Sequence, residues 1–159
     1  FDVATFVAFG GADIGVAGLD VLKEFNYPEL YMPIDLKIGT CHLSIAELKN
    51  YNKDDNIQLK IATKYPNITN SYFANKGINV NCIKINGAME IAPNLEMADK
   101  IVDLVSSGKT LLANDLVEIE NILNVTSHLV INRTAFKTRS KNIRDIMVFF
   151  REALNEKNN

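Results

Sequence analysis

No apolar run in this chain reaches the length of about 20 residues that a bilayer-spanning helix requires. The sequence therefore offers no membrane anchor. It also has no basic surplus. Seventeen Lys+Arg stand against 19 Asp+Glu, a formal charge of -2. That balance argues against a nucleic-acid surface, and no block of like charge argues for a disordered tail. A polyanion would have to be held by a local pocket. Cysteine is scarce: Cys41 and Cys82 are the two present, and neither has a Cys or His at metal-ligand spacing. His42 follows Cys41 directly, and neighbours in a strand point to opposite faces. Reduced, buried thiols in a cytosolic protein are the expectation. Asn67, Asn124 and Asn132 open glycosylation sequons, but no signal peptide precedes them, so they read as chance matches. There is no internal repeat, low-complexity run or heptad array. What is present is 47% hydrophobic residues in 159, enough to pack one domain or two small ones.

The chain is organised around residues 90–116. Ile101-Val102-Asp103-Leu104-Val105 is a short, β-branched run that predicts a buried strand. Ser106-Ser107-Gly108-Lys109-Thr110 follows as a small polar loop, then Leu111-Leu112-Ala113-Asn114, good helix formers. A strand, a loop with inward N–H groups and a helix start together suit a dianionic phosphate. Ser106, Ser107 and Thr110 add hydroxyl donors, Gly108 lets the backbone approach closely, and Lys109 adds charge. Asp103, near the strand's carboxyl end, suits a sugar hydroxyl beside that phosphate. Such a loop also occurs where Ser, Gly and Thr do no more than cap a helix.

Elsewhere strands and helices alternate. A helix is expected over residues 3–9 with Phe6 and Val7 inward, a Gly-bearing strand over 12–18, a short helix over 20–25 and a Pro-bearing loop over 26–33. Residues 35–46 read as one long extended segment, and 53–56 as a solvated turn. Clean alternation predicts a strand over 57–63, followed by a helix from Pro66 to Gly77 with Ile68, Tyr72 and Phe73 toward the sheet. Lys64, at that strand's carboxyl end, is either a ligand contact or a solvated helix-start residue. A further strand is expected over 77–85, and short helices broken at Pro93 follow. Glu90 is a surface acid or a ligand group. Asp99 and Asp115 read as solvated or capping residues. Two strand pieces, 116–122 and 125–131, precede a helix over 141–156 capped by Ser140. Ile143, Ile146, Met147, Phe150 and Leu154 form its apolar stripe.

Residues 90–111 resemble the signature of the ATP phosphoribosyltransferases, which open histidine biosynthesis. Glu90, Ala98, Ile101, Asp103, Ser107, Gly108, Thr110 and Leu111 fit in register, and Glu96 stands where the family has Gly, in the turn before Met97. Gly11-Ala12-Asp13-x-Gly15-x-x-Gly18-x-Asp20 and Ile61-Ala62-Thr63-Lys64-Tyr65-Pro66 also match. The resemblance implies an α/β fold with two lobes of the periplasmic-binding-protein-like (type II) kind, joined by two crossover strands. Residues 1–37 and 132–159 would form the first lobe and 38–131 the second, with a ligand cleft between them.

It also implies a glycosyltransferase that joins adenine N1 of ATP to C1 of phosphoribosyl pyrophosphate and releases pyrophosphate. Ser106 to Thr110 would hold the 5′-phosphate. Glu90 and Asp103 would take ribose hydroxyls or a bridging Mg2+, and Lys64 and Lys109 would face phosphate charge. The metal ligands themselves are not specified. A cytoplasmic homo-oligomer, with a separate histidyl-tRNA-synthetase-like regulatory subunit, is the implied assembly, because no C-terminal regulatory domain follows the last helix. The family's opening strand and Lys-Gly-Arg loop have no counterpart, and the chain starts at Phe1. It therefore reads as a fragment of low activity by itself. Two alternatives remain at this point. One is a non-catalytic metabolite sensor on the same scaffold. The other is a phosphoribosyltransferase of the other major fold, whose loop usually follows paired acids rather than Val102-Asp103.

Overall fold

The computed structural model describes residues 2–52 and 58–156. In chain order these form α1 (Asp2–Ala8), β1 (Ile14–Gly18), α2 (Leu19–Phe25), β2 (Leu30–Asp35), β3 (Cys41–Leu48), β4 (Leu59–Thr63), α3 (Pro66–Asn75) and β5 (Val80–Lys84). A 3-10 turn at Met89–Ile91 comes next, then β6 (Lys100–Val105), α4 (Lys109–Ala113), β7 (Leu116–Val125), β8 (Ser127–Asn132), α5 (Arg133–Thr138) and α6 (Ser140–Glu156). The chain divides into two compact units, Phe1–Thr40 with Val125–Asn159, and Cys41–Asn124.

In the first unit β8 lies between β1 and β2 and is antiparallel to both. One side of this sheet packs Ala4, Val7, Leu22, Leu30 and Val130, and another cluster joins Ile34, Leu129, Ile131, Ile143 and Met147. Asn132 links three elements. Its side-chain oxygen accepts from the N–H groups of Thr134 and Ala135 and so caps α5, while its amide nitrogen donates to the Val7 and Ala8 carbonyls at the end of α1.

The second unit holds a five-stranded sheet in the order β5-β4-β6-β3-β7. β4 runs parallel to both β5 and β6, and β3 is antiparallel to β6. Alternation decides the two faces. Ile101 and Val105 of β6 pack with Ala46, Leu111 and Leu116 on one side, and Val102 packs with Ile45, Ile61, Tyr65 and Phe73 on the other.

Several expectations need correction. Residues 30–35, expected as loop and the start of a long strand, are β2. Pro33 is tolerated because β2 is an edge strand with a register shift between Tyr31 and Ile34. The long extended segment is broken at residues 36–40, where Lys37 and Gly39 have φ of 52° and 64°. There Leu36 N–H donates to the Ser127 carbonyl, and Ser127 N–H donates to the Ile38 carbonyl. Residues 125–131, assigned to the second lobe, belong to the first unit because β8 is the centre of its sheet. Phe6 is 63% exposed and Ile146 40%, so neither faces a core, whereas Val7 and Met147 do. Both cysteines are half-buried rather than buried. Asp99 is buried and accepts the Lys60 N–H. Ser140 is the first residue of α6 rather than a cap before it. The turn expected at 53–56 lies outside the described residues, as does Ile57.

Candidate functional site

β6 ends at Val105, and Gly108, with φ of 69°, turns the chain into α4. An added Cβ at Gly108 would meet nothing within 4 Å, so it is the left-handed backbone that calls for glycine there. Residues 106–110 follow the last rung of the β6 ladder and open a helix whose first N–H groups have no intrahelical acceptor. Among the described residues, these five amides donate to no other part of the fold. They are available to a ligand.

Beside them lies a cavity of about 120 Å³, lined by Glu90, Asp103, Ser106, Ser107, Gly108 and Thr110. The apolar walls are Ile101, Leu104, Val105 and Leu111. The loop and α4 come from one continuous segment, whereas Glu90 is carried in by the 3-10 turn before β6. That approach depends on a tight reversal at residues 92–97. Met97 N–H donates to the Ala92 carbonyl, Glu96 N–H donates to the Pro93 carbonyl, and Glu96 has φ of 56°. This is a Schellman closure with a glutamate at the left-handed position.

Asp103 is half-buried, and its Oδ1 accepts the Leu104 N–H at 2.8 Å. Burial pushes its carboxyl above the ordinary range, the Leu104 N–H pulls it down, the Glu90 charge raises it, and the Lys64 charge lowers it. Glu90 and Lys64 are therefore each within electrostatic reach of Asp103. Thr63 fixes the backbone beside Lys64. Its hydroxyl donates to the Val102 carbonyl at 2.8 Å and accepts the Tyr65 N–H at 2.9 Å. Lys109, the first residue of α4, is exposed and does not line the cavity.

A polar cluster continues across the sheet that sequence reasoning missed. Ser44 pairs with Asp103 in the β3–β6 register, and its hydroxyl donates to Glu118 Oε1 at 2.7 Å. His42, opposite Val105, places Nε2 2.8 Å from the same oxygen. These partners are 74 and 76 residues apart, so no local pattern announces them.

A pair of acids beside a loop of unpaired amides, in a strand-loop-helix frame, suits a phosphorylated sugar. The chain matches the ATP phosphoribosyltransferase family profile over residues 1–152. The chain belongs to the ATP phosphoribosyltransferase family. This is the glycosyltransferase family of the first step of histidine biosynthesis, the one that residues 90–111 resemble. A member from Rhodospirillum rubrum is 59% identical over 96% of this chain and 69% of its own length. One from Gluconobacter oxydans is 53% identical over 98% of this chain and 66% of its own length. The chain thus spans about two thirds of these relatives.

Among solved structures, the ATP phosphoribosyl transferase (HisG:HisZ) complex from Thermotoga maritima superposes with a TM-score of 0.87 at 30% identity, over 98% of this chain and 76% of that one. Holo ArgBP from T. maritima, at TM-score 0.61 and 12% identity over 99% of this chain and 69% of that one, shares the fold alone. So does the periplasmic VFT2 domain of Bordetella pertussis BvgS, at 0.55 and 12% over 84% and 60%. The family's fold is thus the periplasmic-binding-protein-like α/β type. Among the described residues, no helix is long and apolar enough to cross a membrane.

Proposed function

We propose that the cavity beside Gly108 binds phosphoribosyl pyrophosphate, and that this chain supplies that part of the transfer joining the sugar's C1 to adenine N1 of ATP. The observation carrying this reading is the set of amides at residues 106–110 with no acceptor among the described residues, in a loop that lines one cavity with Glu90 and Asp103. The amides and the hydroxyls of Ser106, Ser107 and Thr110 grip the 5′-phosphate, fixing the ribose. Asp103 and Glu90 accept from its hydroxyls. Lys64 offsets their charge, and Lys109 adds long-range attraction for phosphate. As the C1–O bond to pyrophosphate breaks and the bond from N1 forms, positive charge develops at the sugar, and the two carboxylates stabilise it.

Among the described residues no group of three or more His, Cys, Asp or Glu could hold a metal. Mg2+ keeps several waters and takes one or two carboxylates plus substrate phosphates, and two carboxylates, Glu90 and Asp103, line this cavity. Glu90 and Asp103 would hold it, and it would supply charge to neutralise the departing pyrophosphate. A cytoplasmic homo-oligomer with a histidyl-tRNA-synthetase-like regulatory subunit is part of the same reading. The second subunit in that reading draws support from the two-component T. maritima complex.

Calorimetry with phosphoribosyl pyrophosphate and Mg2+ tests the cradle on this chain and on Gly108→Val. A β-branched residue is strained at φ of 69°, so the loop is expected to reshape and binding to be lost. Equal binding by both proteins would remove the cradle. Pyrophosphate release with ATP as co-substrate then separates a transferase from a metabolite sensor.

A further inference from the structure

A single Asn-Gly dipeptide occurs in the chain, Asn86-Gly87, and the fold leaves it unrestrained. It lies in a bend between the end of β5 at Lys84 and the 3-10 turn that carries Glu90. Both residues are exposed. Among the described residues, neither the Asn86 carboxamide nor the Gly87 N–H has a hydrogen-bond partner. Nothing lies within 4 Å of where a Cβ on Gly87 would stand, so space is open on that side of the backbone.

Other asparagines are held. Asn94 Nδ2 donates to the Asn114 carbonyl, Asn114 Nδ2 to the Thr110 carbonyl, and Asn121 Nδ2 to Asn124 Oδ1. Asn132 is buried and bonded through both its oxygen and its nitrogen. Asn70 sits inside α3, where the helix ties down the following N–H. Each of these is also followed by a residue with a side chain, which crowds the approach of the next backbone nitrogen to the carboxamide carbon. Glycine has no Cβ to do so and lets the backbone rotate freely.

We propose that Asn86-Gly87 is a site of spontaneous covalent modification, at which the folded chain converts asparagine to isoaspartate. The Gly87 nitrogen bonds to Asn86 Cγ, the Cγ–Nδ2 bond breaks, and ammonia leaves with the proton of the Gly87 N–H. One water then opens the cyclic imide. Opening at the Asn86 backbone carbonyl leaves the main chain running through Cγ, and opening at Cγ gives ordinary aspartate. A water is consumed, an ammonia is released, and nothing is oxidised or reduced. The segment gains a negative charge, and in isoaspartate the main chain gains a methylene. Both ends of the bend are fixed. Ile85 N–H donates to the Thr63 carbonyl at 3.1 Å, and Ile91 N–H donates to the Ala88 carbonyl at 3.4 Å. Ala88 already holds a left-handed backbone, with φ of 46°. The added length is taken up within residues 86–88, and the 3-10 turn bearing Glu90 loosens. None of this depends on the reading given to the cavity beside Gly108.

Ageing of the folded chain in warm, mildly alkaline buffer tests it, with peptide mapping and isoaspartyl methyltransferase labelling as the readout. Isoaspartate is expected to accumulate at residue 86, in excess over aspartate there and ahead of any change at Asn70, Asn94 or Asn114. Gly87→Ala is expected to slow the conversion about tenfold, and Asn86→Gln to abolish it. Alanine fits at position 87, which has no positive φ and open space for a Cβ, so that variant is expected to melt with the parent. Amide exchange at Ile91 and Ala92 is expected to quicken in the aged parent and to stay unchanged in aged Gly87→Ala. Absence of isoaspartate at residue 86, equal rates in parent and Gly87→Ala, or modification as fast at Asn70, Asn94 or Asn114 would each overturn the site. Unchanged exchange at Ile91 and Ala92 in the aged parent would overturn its effect on the turn.

Discussion

Replacing Glu96 by glycine is expected to stabilise the protein. Glu96 occupies the left-handed position of the turn at residues 92–97, with φ of 56°, and is exposed. The left-handed conformation costs an L residue roughly 1–2 kcal/mol, because Cβ crowds the following carbonyl. Glycine escapes that cost but loses roughly 0.5–1 kcal/mol more chain entropy on ordering. The net gain is about 0.5–1 kcal/mol. For a chain of this size that corresponds to a rise of roughly 1–4 °C in melting temperature. Thermal unfolding of parent, Glu96→Gly, Glu96→Ala and Glu96→Asn separates backbone from charge. Alanine keeps its Cβ and is expected to gain little, and asparagine, which tolerates the left-handed region, is expected to fall between. A glycine variant that melts no higher than the parent would refute the reasoning. So would an alanine variant that gains as much, since the benefit would then come from removing a carboxylate.

Other substitutions probe the site and the packing around it. Asp103→Asn is expected to abolish phosphoribosyl pyrophosphate binding yet stabilise the fold at neutral pH. A carboxyl whose folded pKa is raised above the ordinary 3.8 opposes folding increasingly as pH climbs through that range, and fully above its folded value. The stability gap between variant and parent in urea titrations is therefore expected to open upward from acidic pH and then level. By the same sign, ligand affinity of the parent is expected to fall as pH is lowered and Asp103 takes up a proton. Gly15→Ala would bring a Cβ to 2.7 Å from Val3 Cγ1 and 2.9 Å from Val7 Cγ2. Stiff β-branched side chains cannot give way there, so a loss of about 1–3 kcal/mol is expected on urea unfolding. Thr63→Val removes a donor to Val102 and an acceptor for Tyr65 N–H in a fully buried position. About 1–3 kcal/mol is expected to be lost in the same assay.

How far the sequence was legible depended on how local each signal was. The β6–loop–α4 motif is contiguous, so its β-branched run, its small residues and the glycine that turns it could be read directly. β4 declared itself by alternation, and α6 by its stripe, although Ile146 at the stripe's margin faces outward. β2 was hidden by Pro33, since a proline strand is possible only at a sheet edge, and edges are a property of the assembled sheet. α5 is six residues long, too short for periodicity to appear. Asp99 looked like a solvated acid because its partner is the backbone of Lys60, 39 residues away. The His42–Ser44–Glu118 cluster was invisible for the same reason. Glu96 was the informative departure: its place in the signature marked a position whose backbone asks for glycine.

The placement of β8 also bears on synthesis at the ribosome. Among the described residues, β1 and β2 each pair with β8 alone. With no other partner there, they must wait, once they emerge, while residues 41–124 are translated. That intervening unit draws every strand of its sheet from its own continuous stretch and can mature first. β1 and β2 thus precede their partner by the whole of the second unit, and the interval leaves two strand edges in need of shelter from chaperones.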